Sequence, residues 1–158
     1  MVEKAIGPVD GRVTWLVLDD NLDPVDEVTQ FALYLDGGGA SLNTVRAYVP
    51  RVARFLNWCH VQGVDWSRIS LPHLVLYKRT LEAEPTPAGR TRTGKTVNAH
   101  ITAVIEFFRF CARAGFIESV VVDRFVEAKH LRFLRGGMPR REGGVERIVA
   151  AKVIKAKE

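Results

Sequence analysis

Ser41–Gly63 reads SLNTVRAYVPRVARFLNWCHVQG, and Thr93–Gly115 reads TGKTVNAHITAVIEFFRFCARAG. Each stretch opens on a hydroxyl residue, places Thr-Val at its fourth and fifth positions, and closes through an aromatic residue and Cys to Gly. In the first, Val45, Tyr48, Val49, Val52, Phe55, Leu56 and Cys59 recur at helical spacing. In the second, Val97, Ile101, Val104, Ile105, Phe108 and Cys111 do the same. The spacing predicts two amphipathic helices, the first capped by Ser41 and stopped by Gly63, the second running from about Lys95 to Ala114. The polar face of the first carries Asn43, Arg46, Arg54 and Asn57, with Arg51 at its margin. Pro50 removes a backbone donor and is expected to kink or split that helix.

Other helices flank these two. Asp23 as N-cap and Pro24 at the first helical position open one that carries Val28, Phe31, Ala32 and Leu35, and Gly37-Gly38-Gly39 ends it. Ser70 caps a short helix from Pro72 to about Glu82, with Leu74, Tyr77 and Leu81 inward. A fifth helical stretch is expected over about Val121–Leu134. Val13–Leu18 is β-branched and aromatic, but no obvious strand partner is near, so it reads as an extended arm anchored by Trp15. The fold class is all-α: a four- to five-helix orthogonal bundle with a short N-terminal arm (1–22), a helical domain (23–134) and a basic linker (135–158). The tail after Gly144 reads as a final short helix or the start of a further element.

The chain has 158 residues, 47% of them hydrophobic and 26% charged, a composition that can bury one core. No run approaches the roughly 18 unbroken apolar residues of a membrane span, and the start MVEKAIGPVDG has no signal-peptide character. A cytoplasmic protein with no membrane partner and no small-molecule substrate is expected. Residues 1–87 hold 8 Lys/Arg against 11 Asp/Glu, whereas residues 88–158 hold 15 against 7. One basic half points to a polyanionic partner.

Catalytic chemistry finds little support. Gly89–Thr96 (GRTRTGKT) matches the letters of a phosphate-binding P-loop. A P-loop follows a buried strand, and here a helix end and a proline-containing loop precede it. His60, His73, His100 and His130 have no partner at metal-ligand spacing, and Cys59 and Cys111 fall on apolar helix faces, so neither metal nor cofactor is expected.

Ser41-Leu-Asn-Thr44-Val-Arg-Ala-Tyr48 with Arg51, Phe55 and Trp58 resembles the S-x-x-T-[LIV]-x-x-Y…F stretch of the tyrosine recombinase (phage integrase) family. Thr96-Val97-Asn98 with Ile101, Phe107, Phe108 and Gly115 resembles the same family's T-[IV]-N stretch, and Gly63-Val-Asp-Trp66 its inter-helix turn. The likeness covers about residues 23–120 and implies the N-terminal, SAM-like core-binding domain. Such a domain embraces one face of a recombination site while a separate domain cuts and rejoins the strands. The implied partners are double-stranded DNA and other recombinase protomers. Ala99 and His100 stand where the family often has basic residues. His-x-x-Arg does not occur, and Tyr34, Tyr48 and Tyr77 all sit in binding-domain helices, so this chain as it stands is not expected to cut DNA.

The candidate DNA contacts are Asn43, Thr44, Arg46, Arg51, Arg92, Lys95, Thr96, Asn98, His100, Arg140 and Arg141. Thr44 and Thr96 lie where hydroxyls and amides meet phosphate, or where they simply cap helices. Arg46, Arg51 and Lys95 supply charge, and Asn43 and Asn98 suit base edges. Arg54 and Arg109 read as solvated surface. Arg140 and Arg141 either follow the DNA backbone or keep the linker soluble. The alternative is a protein-interaction or regulatory DNA-binding module of the same fold.

Overall fold

Five helices and two short antiparallel ribbons make up the computed structural model, which describes residues 2–6, 13–130, 146–151 and 154–157. In chain order they are β1 (Val2–Ile6), β2 (Val13–Val17), α1 (Asp26–Gly37), α2 (Leu42–Gln62), α3 (Leu71–Ala83), α4 (Gly94–Ala114), α5 (Ser119–Asp123), β3 (Val126–His130) and β4 (Glu146–Ala150). The helical bundle expected from the spacing is present.

The matched stretches become matched helices of 21 residues each. The Thr44 amide donates to Ser41 Oγ at 3.2 Å, and the Thr96 amide donates to Thr93 Oγ1 at 3.3 Å. At the other ends Gly63 and Gly115 adopt φ of 65° and 82°. Val64 N then reaches Cys59 O, and Phe116 N reaches Cys111 O, which closes both helices in the same way. Pro50 does not split α2, which runs unbroken from Leu42 to Gln62. It lies on the exposed face, where water can satisfy the Arg46 carbonyl deprived of its donor.

Two hydrophobic clusters fix how α2 and α4 pack. Val45, Val49 and Val52 share one with Phe107, Phe110 and Cys111, joined by Phe31 of α1. Phe55, Trp58 and Cys59 share the other with Val97, Ile101, Val104 and Phe108, joined by Tyr77 and Leu81 of α3. The first half of α2 therefore meets the second half of α4, so the two helices are antiparallel. Phe55 stands edge-on to both Tyr77 (5.2 Å) and Phe108 (5.7 Å), an arrangement that adds to their area burial.

Several expectations are corrected. Asp23 does not cap α1; an isolated Leu18–Pro24 bridge and a Val25 N–Val17 O bond of 2.8 Å hold residues 23–25 extended, and Val25 becomes the N-cap. Val13–Val17 is a strand after all, paired with Val2–Ile6 in the register Val2↔Val17. The expected Val121–Leu134 helix stops at Asp123, and Val126–His130 pairs instead with Glu146–Ala150. Buried Phe125 anchors the change of direction, and its carbonyl accepts from Ala151 N at 2.8 Å. The stretch expected as a linker is thus, in its described part, folded onto the domain.

Candidate nucleic-acid interface

Among the arginines, geometry separates structural from unpaired side chains. Arg92 Nη1 donates to Leu81 O (3.2 Å) and Glu84 O (2.9 Å), the carbonyls that end α3, and its side chain is 7% exposed. Its guanidinium thus satisfies the C-terminal end of α3, whose C-cap residue is Glu84. Arg54 pairs with the same Glu84 carboxylate, and Arg109 pairs with Glu106 at 2.8 Å. Arg113 donates to the Tyr34 hydroxyl at 3.3 Å. By contrast the side chains of Arg46, Arg51, Arg90 and Lys95 have no hydrogen-bond or ion-pair partner among the described residues, and all but half-buried Arg51 are exposed.

Asn43, Thr44 and Arg46 lie at the first turns of α2. Lys95 and Thr96 lie at the first turn of α4. Because the helices are antiparallel, Thr96 sits level with the second half of α2, near the Phe55–Trp58 layer, on the side where Arg51 and Arg54 lie. The two openings are then about 18 Å apart along α2, at 1.5 Å per residue. The hydroxyls of Thr44 and Thr96 each lie 3.0 Å from their own cap hydroxyl, Ser41 Oγ and Thr93 Oγ1. The caps themselves are Ser41 and Thr93, and the Thr44 and Thr96 hydroxyls keep oxygen lone pairs at the two helix starts.

His100 and Asn98 are placed differently from the expectation. His100 is half-buried, and its Nδ1 has no partner among the described residues. Burial, aided by the charges of Arg51, Arg92 and Arg54, pushes its imidazole down to about 4. It is neutral at physiological pH and adds no charge to the face. Asn98 Nδ2 donates to Ala156 O at 3.1 Å, and Ala156 N donates back to Asn98 Oδ1 at 2.7 Å. A side chain expected to meet base edges thus holds main chain. Arg140 and Arg141 lie outside the described residues. Arg90, in the basic loop before α4, is exposed as well.

The loop before α4 is not built as a P-loop. Gly89 N donates to Thr86 O (2.7 Å) and Thr86 N to Arg90 O (2.8 Å), so these amides are used within the turn, and the preceding element is α3. Burial pushes the thiols of Cys59 and Cys111 up to about 12, with Asp65 and Glu27 adding respectively, and holds the Tyr77 phenol above its ordinary value. None of the three is a nucleophile at neutral pH. Among the described residues no group of His, Cys, Asp and Glu could hold a metal ion, and no helix is long and apolar enough to cross a membrane.

The family profile for the N-terminal SAM-like domain of phage integrase matches residues 28–115, from the first turn of α1 to the glycine that caps α4. Transposase A from transposon Tn554 of Staphylococcus aureus is 27% identical over 128 residues, which takes in 75% of this chain and 34% of the transposase. The same transposase from two strains of that organism gives the same figures. The chain thus spans about a third of the length of these relatives. No solved structure matches it significantly.

Proposed function

This chain belongs to the phage integrase N-terminal SAM-like domain family, and from that premise we propose that it is the core-binding module of a tyrosine recombinase. It holds duplex DNA at a recombination site while a separate catalytic domain cleaves and rejoins the strands. The observation that carries the reading is the split among the cations. Arg54, Arg92 and Arg109 are used within the fold, whereas Arg46, Arg51, Arg90 and Lys95 are left unpaired along α2 and at the start of α4. Unpaired cations beside capped helix starts are what a phosphate backbone requires.

The two openings, about 18 Å apart, would meet phosphates roughly half of a ~34 Å helical repeat from one another. Asn43 stands beside Arg46 at the exposed start of α2, where it can reach a base edge once the arginines fix the register. Other recombinase protomers on the paired site are the expected protein partners.

Alanine substitution tests the assignment. Arg46, Arg51 and Lys95 are each replaced, with Arg79 on α3 and Arg124 after α5 as controls that are equally unpaired but lie elsewhere. Each of the first three should weaken binding to all duplex sequences alike and flatten the salt slope by about 1. Equal losses at the control positions would show a diffuse basic surface and sink the proposed face.

A further inference from the structure

Residues 154–157 dock between α3 and α4 with their side chains alternating. Ile154 is fully buried in the larger hydrophobic cluster and Ala156 is 8% exposed, while Lys155 and Lys157 point to solvent. Side chains from both helices bond the segment's main chain. Lys78 Nζ of α3 donates to Lys155 O at 3.3 Å, and the Asn98 amide of α4 makes its two bonds to Ala156. Asn98 is three residues from Lys95, and residues at that spacing are neighbours on a helix surface. Neither Lys155 nor Lys157 has an ion-pair partner among the described residues.

We propose that the docked segment is part of the DNA-binding surface. Lys155 and Lys157 contact backbone phosphate beside Lys95, and Asn98 is the positioning residue that holds them there. This rests on the DNA-binding reading above and extends it to a stretch beyond the family match at Gly115. The buried–exposed alternation has a physical consequence. Ile154 and Ala156 fix the segment's register, so the two ammonium groups emerge on one side with little chain entropy left to lose on binding.

The test measures binding of the 158-residue chain to a labelled random-sequence duplex across a salt series. Two variants are compared with the parent: the double variant Lys155→Ala/Lys157→Ala, and Asn98→Ala. Two lost phosphate contacts should flatten the log–log salt slope by about 1.8 in the double variant. Asn98→Ala removes no charge, yet it should flatten the slope in the same direction, an effect that lost stability alone would not produce. Melting curves confirm that each variant is folded, and the double variant keeps the test open if Asn98→Ala is not, because both lysines are exposed. A parent that binds with a steep slope and a double variant that matches it would overturn the proposal while leaving the DNA-binding reading intact. A flattened double variant beside an unchanged, folded Asn98→Ala would overturn the positioning role. A parent that does not bind at all would overturn the underlying reading itself.

Discussion

Asn98, Arg92 and His100 are polar residues near the start of α4, and the fold gives each a different use. Arg92 ends α3, Asn98 holds the backbone of Ala156, and His100 is kept neutral among arginines. Residue type alone could not separate them from Lys95. The partners of Arg92 and Asn98 are carbonyls and an amide 8 to 58 positions away, and no local pattern encodes such a bond. His100 makes a prediction of its own. Its folded value of about 4 lies below the ordinary 6.5, so the unfolded chain takes up a proton first as pH falls. The stability from keeping this imidazole neutral is therefore fully present above about pH 6.5 and is lost progressively as pH falls towards 4. Thermal melts from pH 7 to 4 should show a smaller fall in Tm for His100→Gln than for the parent. Parallel falls would mean that His100 takes its proton as easily folded as unfolded.

The two long helices were the most legible elements, because their caps are local. Ser41 and Thr93 at one end, and Gly63 and Gly115 at the other, each act within five residues of the backbone they satisfy. Gly63→Ala should cost about 1–2 kcal/mol, since the left-handed conformation at φ 65° strains any Cβ-bearing residue. Chemical denaturation measures it, and no change in midpoint would show that the chain relaxes freely there. Pro50 does not split α2 because its cost depends on which face it occupies. On the solvent face the orphaned carbonyl finds water, and α2 continues through it. Pro50→Ala should nonetheless stabilise the domain, by up to ~3 kcal/mol. The ribbons were illegible for the opposite reason. Val13–Val17 and Val126–His130 are strands only because Val2–Ile6 and Glu146–Ala150 return to pair with them. A pairing with a segment elsewhere in the chain leaves no mark on either segment's own periodicity.

At the scale of the molecule, the antiparallel packing of α2 against α4 turns a sequence repeat into a surface. It separates the two matched openings along α2, which carries Arg46 and Arg51, while Glu84 pairs with Arg54 and Arg92. The basic bias of residues 88–158 was visible in the counts, but not which cations the fold would leave free. The measurement that tests the central claim most directly is equilibrium binding of the chain to a random duplex between about 50 and 200 mM salt. Contacts from Arg46, Arg51, Arg90 and Lys95 alone predict a log–log slope near −3.6, a loss of roughly 10²-fold across that range. Affinity that stays flat across the same range, or no binding even at the lowest salt, would contradict the account.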